Sequence, residues 1–121
     1  MQKVIACENE EKHEELVEQV RHNIVSKAEI EQVGRIFRVL SEPSRLTIVL
    51  ALLQGDMCVY HLTEACNTTQ SAMSHQLRVL RDNNIVKTKR NGKNIEYSIA
   101  DEHISKIVRM GLEHLHCDSE K

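Results

Sequence analysis

Aromatic residues are scarce in this chain, which has no Trp, two Tyr and one Phe among 121 residues. Leu, Ile and Val must therefore fill the core of what we interpret as a single small domain with short extensions. No apolar run approaches the roughly 20 residues that span a bilayer, and Met1 to Val20 contains no apolar stretch suited to a signal peptide. We therefore expect a soluble, cytoplasmic protein with no membrane partner.

The cysteines also lack a pairing pattern, because Cys7, Cys58, Cys66 and Cys117 are scattered and none belongs to a CxxC pair. Proteins of the reducing cytosol make little use of disulfides. We therefore interpret the cysteines either as buried small residues or as thiolate metal ligands. Cys66 has no other ligand at a matching spacing, so we expect it to be a core residue.

Charge is distributed unevenly along the chain, although the formal net charge is only -2. Residues 1–33 contain four basic and eight acidic side chains, whereas residues 68–96 contain six basic and two acidic ones. Phosphate contacts are made by a local basic face, so the distribution matters more than the sum. The pattern favours a nucleic-acid-binding surface in residues 68–96 over a charged face that is merely solvated.

Apolar spacing predicts a mainly helical fold. Apolar residues from Ile30 to Leu40 recur every three or four positions, as in an amphipathic helix. A second helix runs from about Leu46 to Leu53, with Ser41 as its expected N-cap, Pro43 in its first turn and Gly55 after its end. We expect this second helix to form the core.

Two further helices, joined by a tight turn at Asn67, predict a helix-turn-helix. The first lies between Cys58 and Cys66, and the second is capped by Thr68 or Thr69 and reaches about Asp82. In the second helix, an apolar stripe is expected to be buried: Met73, Leu77 and Leu80.

The opposite side of this helix is polar. Ser and His side chains can bond base edges or phosphates, and Arg can reach guanine or the DNA backbone. A solvated helix face is the alternative. The candidate DNA-binding residues at this helix are Thr69, Gln70, Ser71, Ser74, His75 and Arg78.

A β-hairpin is predicted from Ile85 to Ile99. Asn91-Gly92 is the strongest short hairpin signal, because both residues accept the positive φ of a type I′ turn. Within the second strand, the side chains expected to point inward are Ile95, Tyr97 and Ile99. The cationic tip, expected to contact DNA phosphates or the minor groove, contains Lys89, Arg90 and Lys93. A helix-turn-helix followed by such a hairpin is a winged helix, so the predicted fold class is mainly α with a β-hairpin.

Four good metal ligands lie along a final helix that begins near Asp101. A helix rises about 1.5 Å per residue, so His103 and His114 point the same way but lie roughly 16 Å apart. Zinc-to-nitrogen bonds are only about 2 Å long, so one chain cannot join both residues to one ion. The spacing predicts an ion shared by two antiparallel copies, with Asp101 and His103 from one copy and His114 and Cys117 from the other.

The same helix has two apolar stripes, which predict two packing partners. Ile107 and Met110 lie between the ligand pairs and are expected to form a seam with the second copy. The other stripe is expected to cover the chain's own domain and includes Ile104, Val108, Leu112 and Leu115. Gly111 costs helix stability, and close packing would explain its presence.

Several segments resemble one family in combination: residues 40–46 (Leu-Ser-Glu-Pro-Ser-Arg-Leu), residues 57–62 (Met-Cys-Val-Tyr-His-Leu), residues 71–77 (Ser-Ala-Met-Ser-His-Gln-Leu), Asn91-Gly92-Lys93, and Asp101-x-His103. They are similar to the ArsR/SmtB family of metal-sensing winged-helix repressors. The resemblance implies a homodimer that binds double-stranded operator DNA when metal-free. Metal binding would release it and derepress metal efflux or sequestration genes. Residues 71–78 would be the recognition helix.

The resemblance also implies two ligand sets. Asp101, His103 and His114 match the C-terminal set, with Cys117 in the fourth position. His116 is an alternative fourth ligand, but it lies about 200° around the helix from His114. Such a mixed set suits Zn(II), our first choice, or Co(II).

The second implied set begins with Cys58 and an N-terminal arm. Cadmium- and lead-sensing relatives have a second Cys two residues after the first, where this chain has Tyr60. A Cys2His2 site could instead form from Cys7, His13, Cys58 and His61, with Glu11 as a further candidate. A thiolate-rich site would move the preference toward Cd(II) or Pb(II).

The predicted organisation is an N-terminal arm at 1–29, a winged helix-turn-helix at 30–100 and a C-terminal dimerisation and metal-sensing helix at 101–121. The arm is expected to be mobile or to form a helix on another subunit. One rival is a repressor that senses oxidation through Cys7 with Cys58 or Cys117, and others are a zinc-buffering protein and a zinc hydrolase. The chain has no HExxH motif and no obvious general base, so we expect neither an enzyme nor a small organic substrate.

Overall fold

The computed structural model describes residues 10–117. Their helices are α1 (Glu10–Asn23), α2 (Lys27–Ser41), α3 (Pro43–Leu52), α4 (Val59–Ala65), α5 (Gln70–Asp82) and α6 (Glu102–Cys117). Their strands are β1 (Met57–Cys58), β2 (Val86–Asn91) and β3 (Asn94–Ile99). This order of elements confirms the predicted fold class, mainly helical with a β-hairpin that follows the two helices of the helix-turn-helix. None of the helices within residues 10–117 has both the length and the apolar character needed to cross a membrane.

The described residues form two compact units that divide after Val33. The first contains α1 and the beginning of α2. All α1 residues are exposed except Val17, which is half-buried. At the start of α2 the Ser26 hydroxyl accepts a hydrogen bond from the Glu29 backbone N–H (3.2 Å) and donates one to the Glu29 carboxylate (3.3 Å). This capping arrangement makes α2 begin at Lys27, three residues before its apolar periodicity begins at Ile30.

The second unit, residues 34–121, has an aliphatic core to which α2 to α6 and the hairpin region contribute. No aromatic side chain belongs to the buried core set of the described residues, as the composition predicted. Each buried side chain of this kind contributes roughly 1.5–3 kcal/mol relative to leaving it exposed. The buried core residues are Val39, Leu40, Ile48, Val49, Leu52, Leu62, Met73, Leu77, Leu80, Ile85, Val86, Ile104 and Val108.

The boundary between α2 and α3 differs from the predicted one. Glu42 is the N-cap of α3, because its carboxylate accepts a hydrogen bond from the Arg45 backbone N–H at 3.1 Å. The prediction that Ser41 is this cap was wrong: Ser41 is still the last residue of α2, and its hydroxyl donates to the Arg38 carbonyl at 2.8 Å. Pro43 occupies the first turn of α3 as predicted, where a missing N–H costs nothing.

The carboxyl group of Glu42 is tuned by this cap. Partial burial raises the pKa of Glu42. Hydrogen bonds from Arg45 and Ser44, together with the charge of Arg45, lower it by more than burial raises it. The pKa of Glu42 therefore lies below its ordinary value of 4.5, and the cap is ionised at neutral pH.

The strands form one antiparallel sheet in the order β1-β3-β2. In the hairpin, Asn91 pairs with Asn94, so the turn residues are Gly92 and Lys93. Only Gly92 has positive φ, at 64°, and these are the φ signs of a type II′ turn with Gly in its first central position. The predicted type I′ turn centred on Asn91-Gly92 was therefore wrong, because Asn91 remains in the ladder and its side chain donates to Glu96.

The inward alternation predicted for β3 holds only in part. Tyr97 and Ile99 are partly buried and pack against the core, but Ile95 is 48% exposed. Ile95 pairs with Arg90 near the turn, where the hairpin extends beyond the part of the sheet that packs on the core. Ser98, which points to the other face of the strand, is the buried polar residue of β3.

Candidate nucleic-acid interface and metal-binding residues

Helix α5 has the two faces that its sequence predicted. Met73, Leu77 and Leu80 are at most 1% exposed, which confirms the buried stripe. The six candidate DNA-binding residues of this helix and its cap are all exposed: Thr69, Gln70, Ser71, Ser74, His75 and Arg78. A rigid helix therefore presents hydroxyl, amide, imidazole and guanidinium groups to solvent on one side. Their contacts with DNA stay a prediction.

The start of α5 is set by a side-chain cap and by a left-handed residue in the preceding turn. The Thr69 hydroxyl accepts a hydrogen bond from the Ala72 backbone N–H at 3.1 Å, so of the two predicted candidates, Thr68 and Thr69, the cap is Thr69. Asn67 has φ of 52°, a conformation that Asn tolerates better than most residues. It lets the chain reverse within the few residues between α4 and α5.

Arg45 is a positioning residue that the sequence reasoning missed. Its Nε donates to the Val39 carbonyl at 2.8 Å, and its Nη1 donates to the Gln76 side-chain oxygen at 3.3 Å. One guanidinium group of α3 therefore links the end of α2 to the middle of α5. Its partners are 6 and 31 residues away along the chain, so no local pattern could have identified them.

The cationic residues of the hairpin lie on both faces of β2 rather than together at its tip. Arg90 and Lys93 are exposed at or next to the turn. Because successive side chains of a strand point to opposite faces, Lys89 lies on the other side from Arg90. There its ammonium group lies 3.7 Å from the Asp56 carboxylate. Arg90 and Lys93 therefore keep the geometry expected of a DNA-contacting tip, whereas Lys89 has a carboxylate neighbour.

At the start of α6, Asp101 and His103 lie side by side. Asp101 Oδ1 accepts a hydrogen bond from the Ile104 backbone N–H at 3.1 Å, which confirms the predicted cap, and lies 3.5 Å from His103 Nδ1. The hydrogen bond from Ile104 lowers the pKa of Asp101; burial partly opposes this, and His103 lowers the pKa further. The pair offers an ionised carboxylate and an exposed imidazole, and both groups suit Zn(II).

The other two predicted ligands of this set lie at the far end of the same helix. Helix α6 is continuous, so His114 is about 16 Å along the axis from His103 and Cys117 is one turn further. Both His114 and Cys117 are exposed. In residues 10–117 no three His, Cys, Asp or Glu side chains converge on one point. His116 points about 200° away from His114 around the helix.

The apolar stripes of α6 agree only partly with their predicted roles. Ile104 and Val108 are buried at 6% and 8%, as expected for the stripe that covers the domain. Leu112 and Leu115, predicted to belong to the same cover, are 39% and 71% exposed, because the last turns of α6 extend past the core. A Cβ at Gly111 would meet nothing within 4 Å, so the predicted close packing does not occur within the described chain.

The other stripe of α6 lies between the ligand pairs. Ile107 is 36% exposed and Met110 is 64% exposed, and both share the helix face of His103 and His114. An exposed apolar seam at this position is what the predicted antiparallel packing of two copies requires.

Two residues of the second predicted ligand set, Cys58 and His61, lie in the second compact unit. Cys58 is half-buried and precedes α4 as its N-cap rather than lying within the helix. His61 is exposed, and its ring lies edge-on to Tyr60 at 5.9 Å. Cys7 lies outside the described residues, and His13 and Glu11 belong to the first compact unit. This site stays a prediction.

Cys66, in contrast, packs against the hydrophobic core as a partly buried residue. Burial raises the pKa of the Cys66 thiol, which keeps it protonated at neutral pH. The prediction that Cys66 is a core residue is confirmed.

Comparison with known proteins identifies relatives of one kind. The family model described as bacterial regulatory protein, arsR family, matches residues 42–88, from the cap of α3 into β2. A transcriptional repressor SmtB homolog of Synechocystis is 38% identical over 118 residues, which cover 91% of this chain and 89% of that protein. The HTH-type transcriptional regulator NmtR of Mycobacterium tuberculosis is 42% identical over 88 residues, covering 70% and 73% of the two chains.

A similar fold is found in a homodimeric winged helix-turn-helix DNA-binding domain from Mycobacterium bovis, described as a possible ArsR-family transcriptional regulator. Its TM-score to this chain is 0.68 at 27% identity, and the match covers 78% of this chain and 94% of that domain.

Proposed function

This chain belongs to the ArsR family of bacterial transcriptional regulators, and we propose that it is a metal-responsive repressor, bound to its operator as a homodimer when metal-free and released when Zn(II) binds. The family consists of DNA-binding regulators, which confirms the predicted regulatory rather than enzymatic role. The metal, the dimer and the operator response are parts of the proposal, as is a cytoplasmic location alongside the DNA.

The observation that carries the proposal is the arrangement of four donors on α6. Asp101 and His103 form one exposed pair, and His114 and Cys117 lie on the same face roughly 16 Å further along. Because the helix is continuous, the two pairs complete each other only if a second α6 lies antiparallel against this face. The exposed side chains of Ile107 and Met110 between the pairs support that packing.

The donor set supports zinc as the ion. One carboxylate, two imidazoles and one thiolate match the oxygen, nitrogen and sulfur ligands that Zn(II) accepts in tetrahedral sites. Co(II) accepts the same set, whereas Cd(II) and Pb(II) prefer sites with more thiolates. A bound ion would supply a cross-link between the two copies of α6.

The DNA-binding side of the proposal uses α5 and the hairpin. We place the exposed face of α5 in the major groove, where Arg78 and His75 reach bases or phosphates, and the hairpin tip on neighbouring phosphates. The two half-sites must lie about 34 Å apart, one helical turn, so a small rotation at the α6 seam changes how both α5 helices meet the DNA. A coupling of about 1–3 kcal/mol would change operator affinity roughly 5- to 150-fold.

The experiment is a titration of the apo protein, bound to DNA from upstream of its own gene, with Zn(II), Co(II), Cd(II), Pb(II) and Ni(II). Fluorescence anisotropy reports DNA release, and metal stoichiometry is read in parallel. The expected result is release by Zn(II). The expected stoichiometry is one ion per subunit, because two antiparallel copies of α6 form the four-ligand site twice. His114→Gln should bind operator like the wild type but lose the zinc response.

Two further variants sharpen this result. His22→Gln, which changes an exposed imidazole of α1, should leave zinc release intact. His116→Gln should also leave it intact, because His116 lies on a different helix face from His114. Zinc that leaves operator affinity of the wild type unchanged, or zinc binding that is normal in His114→Gln, would contradict the proposal.

A further inference from the structure

A polar cleft of about 360 Å³ lies between the sheet, the C-terminal end of α3 and α6, within the second compact unit. Its charged side chains are Lys87, Lys89, Arg109 and Asp56, and its hydroxyl groups belong to Ser98 and Ser105. Lys87 pairs with Ser98 across the β2–β3 ladder, so one face of the hairpin contributes an ammonium group next to a hydroxyl. Cations from two separate elements, β2 and α6, therefore give this cleft an excess of positive charge.

The positive charge of the cleft is only partly balanced by the protein. The Lys89 ammonium group lies 3.7 Å from the Asp56 carboxylate. Lys87 and Arg109 have no ion-pair partner among residues 10–117. Glu96, the residue across from Lys89 in the ladder, accepts a hydrogen bond from Asn91 instead. Gathering like charges in one cleft is unfavourable unless an anion neutralises them.

We propose that this cleft binds a small anion that carries a phosphate group. The planar guanidinium group of Arg109 can donate two parallel hydrogen bonds to a phosphate, and Lys87 adds a second charge. Ser98, only 9% exposed, and the half-buried Ser105 add hydroxyl groups to the lining of the cleft. The volume is within the range of about 300–1,000 Å³ that small-molecule sites have, and the polar lining suits a hydrophilic ligand.

The lining of the cleft favours a small ligand over the DNA backbone. Its hydroxyl groups belong to the buried Ser98 and the half-buried Ser105, whereas the exposed cations of the hairpin tip, Arg90 and Lys93, suit a long polyanion. The Asp56 carboxylate at the cleft would also repel a continuous row of phosphates. A compact anion needs only Lys87 and Arg109, the two cations of the cleft that have no ion-pair partner among residues 10–117.

The cleft is separate from the proposed metal-binding face of α6. Measured around the helix from His103, Ser105 and Arg109 lie at about 200° and 240°, whereas the metal-binding face lies within about 40° of His103. The helix face that lines the cleft is therefore not the face on which we propose that a second α6 packs. A bound anion would join α6 to β2 and so connect the metal-binding helix with the hairpin, but its binding does not depend on a metal.

The test is isothermal titration calorimetry of the full-length apo protein with inorganic phosphate and with pyrophosphate, at constant ionic strength set with sodium chloride. Pyrophosphate should bind more tightly than phosphate because it offers more charge to the same cations. Arg109→Gln and Lys87→Gln should each weaken binding by about 10- to 100-fold, the loss expected for a hydrogen bond to a charged group. Both side chains are exposed, so these variants should fold.

The matched control is Lys106→Gln, which removes a charge from the same helix outside the cleft. Lys106 lies 3.9 Å from Glu102 and is 72% exposed, so its replacement should leave anion binding essentially unchanged. Equal weakening by Lys106→Gln and Arg109→Gln would overturn the proposal, because it would show only a response to net charge.

A DNA-binding measurement tests whether the phosphate that the cleft binds belongs to a small anion or to DNA. Arg109→Gln is compared with the wild type for binding to a metal-free operator duplex, and little change is expected. If Arg109→Gln weakens DNA binding and neither phosphate nor pyrophosphate binds the wild type, the phosphate group belongs to DNA and the small-ligand proposal is wrong. Failure of both anions to bind, with normal DNA binding, also overturns it and leaves the metal-responsive function untouched.

Discussion

Replacing Arg45 by Met should weaken the attachment of α5 to α2 and α3. In the wild type the Arg45 guanidinium group donates to the Val39 carbonyl at 2.8 Å and to the Gln76 side chain at 3.3 Å. Met fills a similar volume but has no donor, so both acceptors lose their partner. The Arg45 backbone N–H remains bonded to Glu42, so the α3 cap should survive.

The size of the effect follows from these two bonds. A hydrogen bond from a charged donor contributes about 1.5–3 kcal/mol when buried. Arg45 is only half-buried, and the bond to Gln76 is long, so water can partly replace the guanidinium group at both acceptors. We therefore expect a loss of about 2–3 kcal/mol in the free energy of unfolding, less than the sum of two fully buried bonds. Arg45→Lys should recover part of it, because Lys reaches one acceptor but not both.

The assay is urea unfolding followed by far-UV circular dichroism, at one protein concentration because a dimer gains stability with concentration. Arg35→Met, which changes an exposed Arg of α2, is the matched control and should stay within about 0.5 kcal/mol of the wild type. A cycle with Gln76→Met should give a coupling energy of at least about 0.5 kcal/mol.

DNA binding provides a second readout of the same link. Without urea, at a protein concentration where both variants are fully folded, Arg45→Met should bind operator more weakly than Arg35→Met. The reason is that the hydrogen bond from Arg45 to Gln76 no longer holds α5 against α3. A stability equal to that of Arg35→Met, together with zero coupling to Gln76, would refute the role assigned to Arg45.

Two further changes test the cap of α3 and the α6 seam. Glu42→Gln keeps a side-chain oxygen but removes the charge. Because folding lowers the pKa of Glu42, the wild type should be more stable than Glu42→Gln at neutral pH. It should lose this advantage as the pH falls below 4.5, the ordinary pKa of a glutamate. Urea midpoints over a pH series check this, and a difference that stays constant with pH would contradict it. Met110→Lys should raise the dimer dissociation constant by at least about tenfold, because burying each Met contributes roughly 1.5–3 kcal/mol. Sedimentation equilibrium with Met110→Leu as control checks this, and unchanged dimerisation of Met110→Lys would show that the seam lies elsewhere.

Some features of the structure were predictable because they depend on residues close together in the sequence. The buried stripe of α5 follows from three apolar residues at helical spacing, and its start was predicted to within one residue because Thr68 and Thr69 can each cap a helix that begins at the next residue. The cap at Asp101 is of the same kind. The distance between His103 and His114 follows from the rise of a helix once that helix is continuous.

Other features depended on competition between neighbouring residues. Ser41 and Glu42 are both residue types that can cap α3. Ser41 is still part of α2, so Glu42 is the residue that caps α3. The hairpin turn likewise moved by one residue because Asn91 pairs with Asn94 and bonds Glu96. Strand β1, of only two residues, has too short a pattern to be recognised before its partner Tyr97 is known.

The amino-acid sequence by itself determined the helices α2 to α6, the hairpin, the two faces of α5 and the spacing of the candidate metal ligands, because these follow from periodicity and from contacts within a few residues. Only the tertiary structure decided what the elements do to each other. Arg45 links α3 to α5, Ile95 and Leu115 lie outside the core, and Lys87 and Arg109 line one cleft. Such contacts join residues far apart in the chain, and the packing of whole elements sets their distances.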